Sequence, residues 1–346
     1  MNEPLDFKND ARGVWKRRLI SIPAYTLIGS LFLATLPLML ILAGIRDIVQ
    51  RTRGAAVRAL LFLTWYFLCE LVGVAFSFVF WLLKTLWPGV TRAKYLRWNF
   101  TLQSYWTKAL FEFARWVFQF RLSFKNMETG KEGPYLLFVR HASMADTVLA
   151  SSLLSHPYQI CLRYVMKEEL LWDPCLNIVG LRLANVFVRR GSKQRDKELK
   201  RVAQLATNLG HEDGVLIYPE GTRFTTSKQQ RLLDRFKEKG DMESYKYAKE
   251  LDCVLPPRLG GATVLMNKAP DVDVVFFAHT GFEHVRTLWD VWNGGLIQQH
   301  IQIELWRVPA SDIPKEEKAR EQWLLAQWQR VAEWVQEHQD PPSAKS

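Results

Sequence analysis

Tyr135-Leu-Leu-Phe-Val139 runs directly into Arg140-His-Ala-Ser-Met-Ala-Asp146. Five consecutive apolar or aromatic residues read as a short strand, and the switch to small and polar residues reads as the turn into a helix. The same alternation continues on either side. Val186-Phe-Val188, Val215-Leu-Ile-Tyr218 and residues 272–278 and 301–306 read as further strands, with 146–154 and 195–209 as helices between them. Strands alternating with helices define an α/β class. After residue 314, Trp323, Leu324, Trp328, Val331, Trp334 and Val335 recur at helical spacing, which predicts a helix ahead of a polar Pro-Pro-Ser tail.

Upstream the pattern is different in kind. Residues 22–45 contain no charge at all, and residues 59–83 contain one, Glu70. Each run exceeds the roughly 20 helical residues that cross a hydrocarbon core, so the two predict a membrane-embedded hairpin. The first run is too long, and starts too late, for a cleaved signal peptide. Basic residues flank every run: five over 8–18, four over 46–58 and five over 84–108. That symmetry fits a hairpin dipping into one leaflet as well as two full spans, and either places the start of the chain and residue 90 onward on the same side. In residues 95–124, Leu102, Trp106, Leu110, Phe113, Val117 and Phe120 form one stripe, and Lys108, Glu112, Arg115 and Gln119 another. The stripes fit an amphipathic helix at a membrane interface or one packed on the globular part.

The chain of 346 residues carries a formal charge of +11, which taken whole points to nucleic acid or an anionic surface. Its distribution decides between them. Residues 1–125 hold 17 Lys or Arg against 6 Asp or Glu, and the remaining residues hold 29 of each sign. The globular part is neutral, and the basic excess sits around the apolar runs, where it meets anionic lipid rather than nucleic acid. The four cysteines show neither zinc-ligand nor disulfide spacing.

Two strand ends carry chemistry. His141 and Asp146 lie five positions apart, about 140° around a continuous helix, so they meet only if the His is on the turn and the Asp in the first helical turn. A carboxylate so placed fixes the imidazole tautomer and stabilises the imidazolium, which makes His141 a candidate general base. The second end is Tyr218-Pro-Glu-Gly-Thr-Arg-Phe224. Gly221 permits close backbone approach to a ligand, Thr222 and Arg223 suit phosphate oxygens, and Glu220 can bind a hydroxyl or order the Arg. His279 and His284 read more simply as structural residues than as pocket lining, and 227–250, rich in both signs, as a solvated helix or loop.

Taken together, His-x4-Asp and a Glu-Gly-Thr-Arg loop 79 residues later, behind a hydrophobic hairpin, closely resemble the lysophospholipid acyltransferase family. The 1-acylglycerol-3-phosphate acyltransferases are the nearest in kind. The likeness spans roughly residues 85–310. It aligns Arg190, ending Val186-Phe-Val-Arg-Arg190, with a phosphate-binding Arg, and Val254-Leu-Pro-Pro-Arg258 with a Pro-containing block similar to the lysocardiolipin subgroup, which adds Pro256 and Arg258 as candidates. Arg140 stands where the family commonly has Asn, and Tyr218 where it commonly has Phe; Arg140 is thereby a candidate extra phosphate contact or acceptor determinant.

The resemblance implies a glycerolipid-acyltransferase-like mixed sheet flanked by helices. It also implies acyl transfer to a lysophospholipid from acyl-CoA or acyl-carrier protein as co-substrate, with no cofactor, no metal and no nucleic-acid partner. His141 would be the base and Asp146 its orienting partner, with Arg190, Gly221, Thr222 and Arg223 holding the acceptor phosphate. The expected organisation is an anchor over 1–90, an interfacial helix over 91–125, a catalytic domain over 126–310 and a C-terminal helix and tail over 311–346. The expected location is a bacterial inner membrane or an endoplasmic-reticulum-type membrane, with the active site on the cytosolic face.

Overall fold

The computed structural model of the chain describes residues 13–189 and 194–339. Three long helices come first: α1 (Val14–Gln50), α2 (Ala55–Leu86) and α3 (Arg92–Phe118). The α/β part follows as β1 (Arg121–Lys125), β2 (Tyr135–Val139), α4 (His156–Tyr158), β3 (Cys161–Lys167), β4 (Val186–Val188), α5 (Arg195–Gln204) and β5 (Asp213–Ile217). It continues through α6 (Thr226–Glu238), α7 (Met242–Glu250), α8 (Leu259–Lys268), β6 (Asp273–Thr280), α9 (Leu288–Trp292), β7 (His300–Val308) and α10 (Glu317–His338).

The strands form one mixed seven-stranded sheet in the order β1-β7-β6-β2-β5-β3-β4. β2 runs parallel to both neighbours, β5 and β6, and the antiparallel pairing is β6 with β7. A central parallel strand is covered on both faces, which explains its unbroken apolar run. Tyr135, Leu137 and Val139 enter one core with Phe111, Val117 and Phe118 of α3, while Leu136 and Phe138 enter the other with Leu265 of α8 and Leu324 and Trp328 of α10.

Four differences from the sequence reading have local causes. β1 is an edge strand with mostly exposed side chains, and so lacks the apolar signal. β3 carries Arg163 inside the sheet, where Asp213 and the carbonyls of Leu205 and Thr207 satisfy it. The predicted helix over 146–154 is instead a 3-10 turn (Ala145–Val148), a π turn (Ser151–Ser155) and α4. There the Asp146 carboxylate binds the preceding turn, and Ser151 and Ser152 bond Thr107 of α3. α8 was not anticipated, its Leu-Gly-Gly-Ala start carrying little helical signal.

α1 and α2 form the expected hairpin, joined by a short turn in which the Asp47 carboxylate accepts from the N–H groups of Ala56 and Val57 at 3.1 and 3.0 Å. Only 11% of the most apolar stretch of α1 and 17% of that of α2 is buried within the protein, the reverse of a soluble core helix. The hairpin lies along the α/β part and is tied to it at both ends. At the turn, Arg46 donates to Asn293 and Arg58 to the Val117 carbonyl. At the other end Arg18 donates to Asn177 and Arg182 to the Ser77 carbonyl, and from the middle of α2 Tyr66 donates to Asp173. Between them the Trp65 ring stacks on Phe113 of α3 at 4.8 Å, so α3 sits between hairpin and sheet.

Candidate active site

The two motifs meet because β2 and β5 are adjacent parallel strands with Phe138 beside Ile217, so the residues that follow each leave the sheet at the same edge. Ligands in open α/β sheets bind at such carboxyl ends. His141 lies on the turn after β2 and Asp146 in the first helical turn, as the spacing requires. His141 Nδ1 is 3.1 Å from Asp146 Oδ1, leaving Nε2 as the imidazole nitrogen without a hydrogen-bond partner among the described residues.

Asp146 is fully buried and its other oxygen accepts from the N–H groups of Ala142 and Ser143, both at 2.7 Å. Burial alone would raise its pKa. The charge and hydrogen bond of His141, then His279 and the Ser143 N–H, outweigh burial and hold the carboxyl below the ordinary Asp value. The site therefore contains a carboxylate, not a carboxylic acid, beside the imidazole. The Tyr218 ring lies 4.4 Å from that of His141 and closes one face of it.

Glu220 takes neither role foreseen for it. Its Oε1 accepts from the His141 N–H at 2.7 Å and its Oε2 from the Leu255 N–H at 3.0 Å. Both oxygens are thus committed to backbone, and the side chain is buried rather than open to a glycerol hydroxyl or to Arg223. Burial pushes its pKa up to about 7, against the two backbone hydrogen bonds. Its effect is to fix the His141 main chain against the loop at 253–258.

The expectation for Arg140 is also corrected. Its guanidinium is 1% exposed, ion-paired to Glu283 at 2.5 Å, and donates to the carbonyls of His279 and Cys253 at 2.5 and 3.2 Å. The side chain turns into the protein because Arg140 is the last residue before the chain leaves the sheet, with its N–H on the Phe277 carbonyl of β6. It cannot reach a phosphate.

Gly221, Thr222 and Arg223 form the half-exposed rim opposite. Gly221 has φ +65°, and a Cβ there would lie 2.8 Å from Arg258 Cδ, so Gly221 is what lets the Arg258 side chain lie over the loop. Pro256 belongs to the same loop, which Leu255 ties to Glu220 and the Arg258 N–H ties to the Pro219 carbonyl at 2.7 Å. Lys228 Nζ donates to the Thr222 hydroxyl at 3.0 Å, and Arg223 donates to the Arg286 carbonyl at 3.0 Å. Arg190 lies outside the described residues.

His279 is a structural residue, as the sequence reading favoured, whereas Ser143 escaped that reading. His279 Nε2 is 3.0 Å from the Arg140 carbonyl and 3.6 Å from Asp146 Oδ2, behind the carboxylate rather than in a pocket. Ser143 donates through its hydroxyl to the Val285 carbonyl, holding the loop after β6 against the His141 turn. The one available signal was polar residues, His279 and Thr280, ending an otherwise apolar strand.

A His–Asp pair at one strand end thus stands beside a cationic, glycine-bearing loop at the next. Residues 121–275 match the family model described as Acyltransferase. The matched stretch lies in a mixed seven-stranded sheet behind two long apolar helices. It is similar to mouse 1-acyl-sn-glycerol-3-phosphate acyltransferase epsilon, 23% identical over 252 residues that cover 69% of this chain and 67% of that protein. It is also similar to lysophosphatidylinositol acyltransferase 10 of Caenorhabditis elegans, 24% identical over 239 residues, 65% of this chain and 58% of that one. In fold it resembles the crystal structure of PlsC, the 1-acyl-sn-glycerophosphate acyltransferase of Thermotoga maritima, with a TM-score of 0.54 and 16% identity over 83% of this chain and all of that one.

Proposed function

We propose that this acyltransferase moves a fatty acyl group from acyl-CoA or acyl-carrier protein to the sn-2 hydroxyl of 1-acyl-sn-glycerol-3-phosphate, giving phosphatidic acid. The observation that carries the reading is the His141–Asp146 pair, its Nδ1 engaged at 3.1 Å, beside the Gly221-Thr222-Arg223 loop. An alcohol is a poor nucleophile until its proton is removed during attack, whereas a thiolate leaves without strong acid assistance. His141 Nε2 takes the hydroxyl proton as the oxygen bonds to the thioester carbonyl. The tetrahedral adduct then breaks its C–S bond, and the leaving thiolate takes the proton back. Arg223, with Arg258 over Gly221 and Arg190, would hold the acceptor phosphate and present its hydroxyl to His141.

The hairpin supplies the substrates. Acyl chains favour hydrocarbon by about 0.8 kcal/mol per methylene, so an enzyme embedded at the surface need not extract them into water. From Arg18 to Arg46, both tied to the α/β part, the helix runs about 42 Å, longer than the roughly 30 Å of a hydrocarbon core. A hairpin bound to one domain at both ends supports embedding in one leaflet, with the site facing the cytosol where the donor is made.

A second reading keeps the chemistry and changes the acceptor to another lysophospholipid. It is favoured by the relative named for lysophosphatidylinositol and by the burial of Arg140, which removes one cation from the phosphate pocket. Membranes containing the protein, incubated with labelled acyl-CoA and with lysophosphatidic acid, lysophosphatidylinositol or glycerol-3-phosphate in turn, distinguish these. Preferred labelling of phosphatidic acid is expected. Preference for another acceptor moves the assignment to it, and labelling of none overturns the reading.

A further inference from the structure

Behind His141 lies a buried ion pair that the acyl-transfer chemistry does not use. Arg140 and Glu283 meet at 2.5 Å, and Glu283 Oε2 also accepts from the Gly281 N–H at 2.7 Å. Arg140 belongs to two closed circuits around the base. In the first, its guanidinium holds the Cys253 carbonyl, the Leu255 N–H two residues on holds Glu220, and Glu220 holds the His141 N–H. In the second, its guanidinium holds the His279 carbonyl, its own carbonyl receives the His279 Nε2 proton, and His279 backs Asp146.

The charges in this pocket can be counted from each packed element. The end of β2 contributes Arg140, His141 and Asp146; the loop after β5, Tyr218 and Glu220; β6, His279; the loop after β6, Glu283; and the 253–258 loop, the Cys253 thiol. Arg223, Arg258 and Arg286 stand at the outer rim. His279 is neutral by geometry. Its Nε2 proton faces the Arg140 carbonyl, and its Nδ1 is buried with no partner, so a second proton would be enclosed without an acceptor. Among the described residues, Arg140 is therefore the one enclosed permanent cation near the base. A bare guanidinium there would oppose protonation of His141, and the Glu283 carboxylate stands against it.

We infer that Arg140 and Glu283 form a charge-cancelling pair that lets the guanidinium brace the His141 turn without depressing the proton affinity of the imidazole, which makes both positioning residues for the base. This rests on His141 being the base. The enclosure of the pair, with side chains 1% and 11% exposed, and the two circuits support it, as does the direction of the Glu283 pKa, which Arg140 holds below the ordinary value despite desolvation.

The test uses the full chain in detergent. The rate at which diethylpyrocarbonate modifies His141, followed by peptide mass spectrometry across pH, reports the protonation midpoint without turnover. The pH profile of kcat/KM with the preferred acceptor reports it with turnover. Glu283→Gln leaves Arg140 uncompensated and is expected to lower the midpoint, and Arg140→Met leaves Glu283 uncompensated and is expected to raise it, each by on the order of half a pH unit. The double variant is expected to return to the wild-type midpoint, and Arg140→Lys to keep it even where thermal stability falls. Equal midpoints, or shifts of the same sign in both single variants, overturn the inference and leave the pair a structural brace. If the modification midpoints shift as expected but no acceptor is turned over, the acyl-transfer reading fails and the charge pairing stands.

Discussion

The two strand ends that make the site are built in opposite ways. At the end of β2 both oxygens of the carboxylate are engaged, with Asp146 bonded to His141, Ala142 and Ser143 and backed by His279. At the end of β5, Thr222 and Arg223 are half exposed and meet a lysine ammonium and a backbone carbonyl rather than a carboxylate. The difference fits the two roles proposed above. A base must be held within a few tenths of an ångström of its proton, so its supports are buried and complete. A phosphate site must keep donors for the ligand, so its cations are left at the rim. Glu220 joins the two, since it leaves from the β5 end and spends both oxygens on backbone, one of them that of His141.

The comparison breaks first at the base. His141→Ala is expected to reduce kcat by about 10³-fold or more with little change in melting temperature, by the usual worth of a general base. Residual activity near wild type would refute the assignment. Asp146→Asn keeps the size of the side chain but removes the charge and replaces an acceptor with a donor amide, so a loss of about 10²- to 10³-fold in kcat is expected, with some destabilisation of the turn. A loss confined to KM would mean that Asp146 serves the substrate instead.

At the open end the expected effects are smaller and fall on KM. Arg223→Ala is expected to raise KM for the acceptor about tenfold while leaving KM for the acyl donor unchanged, the amount typical of one charge-assisted contact. The reverse pattern would assign the rim to the donor's phosphates.

The smallest effect concerns stability. Glu220 has a folded pKa of about 7, above the 4.5 of an ordinary glutamate. The folded state therefore holds this proton more tightly than the unfolded one. The resulting stabilisation is fully present below about pH 4.5 and is lost as pH rises through 7. Glu220→Gln, which cannot titrate, is expected to flatten the fall in melting temperature over that window. An unchanged slope between pH 4.5 and 7 would show that Glu220 stays ionised throughout.

How far the molecule was legible depended on how local each signal was. β2 and β4 were read with their observed limits because a buried strand writes its burial into consecutive residues. β1, with exposed side chains, and β3, with a buried arginine, carry no such record. In the site, the position of His141 on the turn and Asp146 one turn later was legible from their spacing. The directions of Arg140 and Glu220 were not, since each is set by partners 35 to 143 residues away.

The sequence alone determined the chemical groups available and the apolar segments beside them: a His and Asp within one turn, a Gly-Thr-Arg loop, and two apolar runs ringed with basic residues. These are properties of short segments, fixed by spacing and composition. The tertiary structure decided which groups that chemistry can use. By bringing β5, β6 and the 253–258 loop to the end of β2, it drew Arg140 into an ion pair with Glu283 and turned Glu220 to the backbone of its own base. A charged side chain in a protein interior takes its role from whatever neutralises it, and that partner is chosen by the fold.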